Sequence, residues 1–259
     1  MIAGGIEYIE AGEGPAVLFL HGIGGEAEAY AHLLGEFSGY RGVAWNMPGY
    51  GESERGAWPP SFASLSLSLA GFVGAMGEER VHLVGHSVGG MLALEHAVRR
   101  PEQVASLTLI GTAPAFGGKD DSFKRAFLEV MLAPLETGGG MVGLGEMTAP
   151  GMCAETADPA VVAEVAKAIS RVPEDSWRGI LDCLVTFDRR GDLEGLDLPV
   201  CVISGSEDRN APARTMERMA GKIPRAEYHA LEGVGHMIAQ EAPAQVTEIL
   251  QAFLTRQIR

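Results

Sequence analysis

The sequence predicts an α/β protein: a mostly parallel sheet covered on both faces by helices, with a block of helices inserted before the last two strands. Three observations predict it. Short apolar runs of strand length alternate with segments of helical period up to about residue 111 and again after residue 192. Turn-rich loops close several of those runs, and between 112 and 191 the strand signal stops while the helical period continues. Residues 1-111 and 192-259 are therefore read as the core and 112-191 as an inserted helical cap.

Taken in order, Ile6 to Glu10 reads as a short strand, and Glu13-Gly14-Pro15 turns the chain into Ala16 to Leu20. This second run is apolar throughout, which places it centrally in a sheet buried on both faces. It ends in His21-Gly22-Ile23-Gly24-Gly25, whose glycines let the backbone turn an N–H, that of Ile23, toward the carboxyl end of the strand. His21 itself is read as a donor that organises this loop. A helix is expected near Ala29 to Phe37, a strand from Gly42 to Trp45, and a helix from Leu65 to Met76.

Val81, Leu83 and Val84 make the next strand, and from Val88 the period becomes helical as far as Arg99-Arg100-Pro101. Between them lies Gly85-His86-Ser87-Val88-Gly89, which puts a serine on the turn where strand becomes helix. Such a turn holds the hydroxyl clear of the backbone, and the helix start offers free N–H groups to a developing negative charge. Ser87 is thus a candidate nucleophile, with an N-cap as its plainer reading. The N–H groups of Ile23 and Val88 are the candidate oxyanion hole.

After a strand from Val104 to Ile110, helices are expected over Ser122 to Leu135, Asp158 to Arg171 and Ser176 to Asp188. Gly138-Gly139-Gly140 and Gly143-x-Gly145 read as a flexible connection. Phe123, Phe127, Met131, Met141, Met147, Met152 and Trp177 suit an apolar roof, although most of them are expected simply to pack the cap. The α/β pattern resumes with a strand from Val200 to Ser204, a helix from Pro212 to Lys222, a strand from Ala226 to Leu231 and a final helix from Pro243 to Thr255.

Asp208 and His236 fall just beyond the last two strands, as Ser87 and Ile23 fall beyond earlier ones. In a parallel sheet these loops open on one edge, the crevice where such proteins bind ligands. The roles follow: His236 takes the Ser87 proton, and Asp208 fixes the imidazole tautomer. Glu207 is the rival acid, but adjacent side chains of an extended segment point opposite ways. His82 and His86 lie roughly 13 Å apart on a strand, too far to share a metal ion. Gly117-Gly118-Lys119-Asp120 lacks the upstream glycine of a phosphate loop.

Composition narrows the partners. The 259 residues carry 20 basic and 34 acidic side chains, net −14, against nucleic-acid or anionic-membrane binding. Apolar content is 46% and charged content 21%, as in soluble globular proteins. Three scattered cysteines form no metal or redox motif, no apolar run approaches a membrane span, and the N-terminus lacks signal-peptide regions, so a cytoplasmic protein is expected; a monomer and a homodimer both stay open.

His21-Gly22-x-Gly24-Gly25, Pro48-Gly49-Tyr50-Gly51-x-Ser53, Gly85-His86-Ser87-x-Gly89-Gly90, Gly205-x-x-Asp208 and Gly233-x-Gly235-His236 together resemble the α/β-hydrolase fold family over nearly the whole chain. Asn46 departs from the resemblance, since relatives usually carry an acidic residue there. Serine as nucleophile sets the chain apart from haloalkane dehalogenases and epoxide hydrolases. The short chain, the cap and Phe187-Asp188-Arg189-Arg190 look similar to 3-oxoadipate enol-lactonases and small-ester hydrolases. The resemblance implies a cofactor-independent, metal-free serine hydrolase of a small, partly apolar ester or lactone, with Met131, Met152, Trp177, Arg189 and Met237 near the substrate. Either Arg189 or Arg190 could meet a substrate carboxylate, although a salt bridge within the cap is the commoner role. A carbon–carbon hydrolase of ring-cleavage dienoates is the neighbouring reading, although Met237 stands where many of those enzymes carry an aromatic residue. A small-ligand receptor on the same fold is the non-enzymatic one.

Overall fold

The computed structural model describes residues 1–117, 121–137 and 139–257. Its chain runs β1 (Ile2–Ala3), β2 (Ile6–Gly12), β3 (Ala16–Leu20), β4 (Arg41–Trp45), α1 (Phe62–Ala75), β5 (Val81–His86), α2 (Val88–Arg99) and β6 (Val104–Ile110). Four helices follow without an intervening strand among the described residues: α3 (Asp121–Glu136), α4 (Gly140–Met152), α5 (Pro159–Arg171) and α6 (Glu174–Leu184). The chain closes with β7 (Val200–Gly205), α7 (Ala213–Ala220), β8 (Ala226–Leu231), α8 (Ile238–Glu241) and α9 (Pro243–Thr255).

The strands form one sheet in the order β1-β2-β4-β3-β5-β6-β7-β8. From β4 to β8 every neighbouring pair is parallel, and β2 joins β4 antiparallel. The fold is therefore the mostly parallel, helix-covered sheet that the alternating pattern predicts. Because β4 lies on one side of β3 and β5 on the other, the chain reverses its winding between β3 and β5. That reversal opens a crevice beyond their carboxyl ends, where Ile23 and Ser87 emerge.

Period-two alternation divides the strands between two apolar layers. Leu18, Leu20, Leu83, Leu107 and Val202 face α1, α2 and α7, whereas Val17, Phe19, Val84, Ile110 and Ile203 face α9 and the 27–37 segment. Each fully buried Leu or Phe contributes about 1.5–3 kcal/mol relative to exposure. Leu144, Ala149, Val165, Ile169 and Trp177 of the inserted helices belong to the same apolar cluster as the α1 and α2 face. The insertion thus shares the core of the sheet.

Helix starts follow local chemistry. Ser61 and Ser64 form a reciprocal capping box that begins α1 at Phe62, three residues before the apolar period shows. Asp158 caps α5 through the Ala160 N–H at 2.8 Å, with Pro159 in the first turn. The segment near 29–37 differs from the expected helix. It is a 3-10 turn, Ala27–Tyr30, followed by further i to i+3 turns that bury Tyr30, Leu33, Leu34 and Phe37, and Gly35 lies inside the stretch. The helix expected to reach Asp188 stops at Leu184, because Phe187 and Arg189 instead bond backbone to backbone with Phe116 and Pro114 in the segment leaving β6.

Gly138, and Gly118-Lys119-Asp120 of the segment whose sequence speaks against a phosphate loop, lie outside the described residues; the rest of the glycine-rich stretch expected to be flexible forms the start of helix α4, with Gly139 at its N-cap. One of its glycines serves contact: a Cβ at Gly145 would stand 2.3 Å from the Ala166 carbonyl oxygen of α5. Gly143, by contrast, faces open space. Gly145→Ala is therefore expected to cost about 1–3 kcal/mol by prying α4 from α5, and Gly143→Ala to be neutral or stabilising by up to about 1 kcal/mol. Urea unfolding of the two variants measures both.

Candidate active site

Ser87 ends the central strand in a conformation that no other described non-glycine residue shares in the sign of φ, with φ 53° and ψ −122°. A side chain held there costs about 1–3 kcal/mol. Four hydrogen bonds hold it. Its N–H donates to the Ile110 carbonyl at 3.0 Å, and its carbonyl accepts from the N–H of Gly90 and Met91 and from the Thr112 hydroxyl at 2.7 Å. The Ser87 hydroxyl makes no capping bond to α2, so it is left free for other chemistry.

Beyond β7 and β8, Asp208 and His236 meet in a buried pair. The imidazole Nδ1–H donates to Asp208 Oδ2 at 2.8 Å, while Oδ1 accepts the N–H of Asn210 and of Ala211, each at 2.8 Å. Burial pushes the Asp208 carboxyl upward, but the His236 bond, its charge and the two backbone donors win, and the group lies below the usual carboxylate range. The anion therefore fixes His236 with Nε2 as the ring's other nitrogen. Glu207 takes no part: its carboxylate accepts the Glu155 N–H instead.

Two histidines support this arrangement as neutral fixtures. His86 donates Nε2–H to the His236 carbonyl at 2.8 Å, and burial with the nearby His236 holds its pKa at about 3. His21 donates from Nδ1 to the Gly22 carbonyl at 2.7 Å and accepts the Met47 N–H on Nε2 at 2.9 Å. Burial lowers its pKa to about 4, so it ties the loop after β3 to the loop after β4, the organising role its position suggests. At Asn46 the missing acid is supplied from β2: Asn46 Nδ2 donates to Glu7 Oε2 at 2.7 Å, and Asn46 Oδ1 accepts the Ala27 N–H. Neither the Ile23 nor the Val88 N–H has an acceptor among the described residues, although the Ile23 carbonyl accepts from Tyr50 at 2.7 Å.

Ser87 borders two cavities. One, of about 580 Å³, lies beside the loop after β3 and α5 and is lined by His86, Met237, Lys167 and Arg171. The other, of about 800 Å³, lies beneath the inserted helices and is lined by His236, Phe116, Phe127, Met131, Trp177 and Leu181. Ile23, Ser87 and Met152 border both. Ser87 and His236 thus share the larger cavity, and no hydrogen bond joins hydroxyl to ring among the described residues, a common state of unliganded sites.

Met131, Met152, Trp177 and Met237 line the cavities that Ser87 borders, but Arg189 does not. Its guanidinium forks onto Glu95, Nε at 2.6 Å and Nη2 at 2.9 Å, and reaches Asp192. A carboxylate only 3% exposed needs that charge beside it, so Arg189 is committed within the structure. Arg190 lines the larger cavity while paired with Asp188. Met147, expected in the roof, is 67% exposed. Among the described residues, Cys201, Glu227 and His229 come together as metal-type ligands, but within β7 and β8, where Glu227 is already paired with Arg256. No described helix is long and apolar enough to cross a membrane.

Residues 17–249 match the family model described as the alpha/beta hydrolase family. The chain belongs to that family. It is 30% identical over 95% of its length to the Pseudomonas putida dihydrolipoyllysine-residue acetyltransferase component of the acetoin cleaving system, spanning 65% of that longer protein. It is 27% identical to the strigolactone esterase of Arabidopsis thaliana, covering 95% of this hydrolase and 94% of the esterase. The structure of the enol-lactonase from Burkholderia xenovorans shares its fold, with a TM-score of 0.84 at 22% identity over 98% of each chain.

Burial gives this hydrolase a marked pH response. His21, His82 and His96 are held at about 4 and His86 at about 3, against 6.5 for a free imidazole. Below 6.5 the unfolded chain takes up protons that the folded chain refuses, so their contribution to stability is lost as pH falls from 6.5 toward 4. Asp208, depressed below 3.8, adds a further loss that begins as the unfolded carboxyl takes up protons, from about pH 5 downward. Urea midpoints are expected to fall steadily from pH 7 to pH 5, and a flat profile across that interval contradicts the assignment of neutral buried imidazoles.

Proposed function

We propose that this hydrolase cleaves a carboxylic ester or lactone of a small, partly apolar metabolite through Ser87, His236 and Asp208. The observation that carries the reading is that His236, bound by the buried Asp208, faces the same cavity as the strained Ser87, whose hydroxyl makes no capping bond. A carboxylate-fixed imidazole beside a serine on such a turn has a known use in acyl transfer.

In the proposed reaction Ser87 Oγ adds to the carbonyl carbon as its proton passes to His236 Nε2. The resulting imidazolium is stabilised by Asp208, and the oxyanion accepts the N–H groups of Ile23 and Val88. Collapse breaks the bond to the leaving oxygen, which takes the proton from His236. Water, deprotonated by the same ring, then adds to the acyl-enzyme and restores Ser87. Every step is a proton or acyl transfer that these side chains can perform themselves.

The name of the Arabidopsis relative, an esterase, supports the reaction class. The two cavities suit the two parts of a cleaved ester, and the apolar lining of the larger suits a nonpolar part.

Ser87→Ala is expected to lower turnover of a p-nitrophenyl ester by about 10⁴-fold or more while leaving thermal unfolding unchanged. A fluorophosphonate probe is expected to label the wild type at Ser87 and not the variant. Near-wild-type turnover by Ser87→Ala removes that residue from the mechanism. Assayed side by side, an aryl or short-chain ester is expected to be consumed and a ring-cleavage dienoate left intact; the reverse result reassigns the site to carbon–carbon hydrolysis.

A further inference from the structure

Glu241, at the end of α8, lies outside both cavities, yet its carboxylate gathers three backbone donors. Oε2 accepts the N–H of Gly235 at 3.0 Å and of Ala154 at 2.9 Å, and Oε1 accepts the N–H of Met237 at 3.0 Å. Gly235 and Met237 flank His236 on either side. Ala154 belongs to the connection between α4 and α5, in the inserted helices.

A carboxylate that merely capped the short α8 would account for the bonds to Gly235 and Met237. It would not account for Ala154, 87 residues earlier in the chain. Two further observations show that the same two segments are fastened together. The His236 N–H donates to the Met152 carbonyl at 2.8 Å, and a Cβ at Gly235 would stand 2.3 Å from the Ala154 nitrogen. The backbone on both sides of His236 is thus laced to the end of α4, whose Met152 borders both cavities.

We infer that Glu241 is a positioning residue for His236, and that through it the inserted helices set the reach of the imidazole toward Ser87. Asp208 and the His86 bond to the His236 carbonyl fix the ring's tautomer and one side of its peptide. Glu241 fixes the N–H of each neighbouring peptide, so any rotation of the loop has to break a charge-assisted bond. The inference rests on the reading of Ser87 and His236 as nucleophile and base.

The experiment compares wild type, Glu241→Gln and Glu241→Ala in ester turnover, in the rate of fluorophosphonate labelling of Ser87, and in thermal unfolding. Glu241→Gln is near-isosteric and keeps one accepting oxygen, so it reports even if Glu241→Ala does not fold. Misplacement of the base predicts a fall in kcat of about tenfold to a hundredfold, with a parallel fall in labelling rate and KM within about threefold. Glu241→Gln should keep more activity than Glu241→Ala. The inference is overturned by kcat and labelling within about twofold of wild type in folded Glu241→Gln, or by a change confined to KM. Ser87→Ala run alongside separates the two ideas: its inactivity beside an unaffected Glu241→Gln sinks only the positioning role. A wild type that neither turns over esters nor takes the probe sinks both.

Discussion

The site depends on the backbone at Ser87. A side-chain-bearing residue is held at φ 53° and ψ −122°, a conformation that disfavours itself by about 1–3 kcal/mol. It persists because its amide and carbonyl are bound from the neighbouring strand and the loop after it, by Ile110, Thr112 and the first turn of α2. Of these anchors, the Ile110 and Thr112 bonds come from β6 and the loop leaving it, so the β5–β6 pairing supplies half of what holds the turn. The parallel sheet then supplies the other parts, since the loops after β3, β7 and β8 leave the same edge.

Much of this was legible in the sequence, for a physical reason. Buried parallel strands require continuous apolar runs, so Ala16 to Leu20 and Val200 to Ser204 announce themselves, and the residues just past each run fall at the sheet edge whatever the details of packing. That logic reaches Ile23, Ser87, Asp208 and His236. It does not reach groups whose partner lies far along the chain. Arg189 looked available for a substrate because nothing near it in sequence reveals that Glu95, 94 residues earlier, is buried and needs its charge. Glu241 passed unnoticed because a glutamate in a short helix has no pattern, and its partner at Ala154 is set by tertiary approach alone.

The inserted helices show the same division. α5 carries a strong apolar stripe with an Asp-Pro start and was plain. α4, with Gly140, Gly143, Gly145 and Gly151, reads locally as a poor helix, and close packing on α5 makes a small residue an asset at Gly145 alone. The segment after β3 erred the other way. A helix is expected there near Ala29 to Phe37, but successive tight turns bury Tyr30, Leu33, Leu34 and Phe37 instead.

Among the described residues only Ile23, Ser87 and Met152 touch both chambers, so every other described wall residue belongs to one of them alone. An exchange at Phe127 or Leu181 reshapes one compartment and leaves Lys167 and Arg171 in the other undisturbed. On the proposed reading, preferences for the two parts of an ester diverge separately under selection, and replacement of Met152, which borders both cavities, alters both at once.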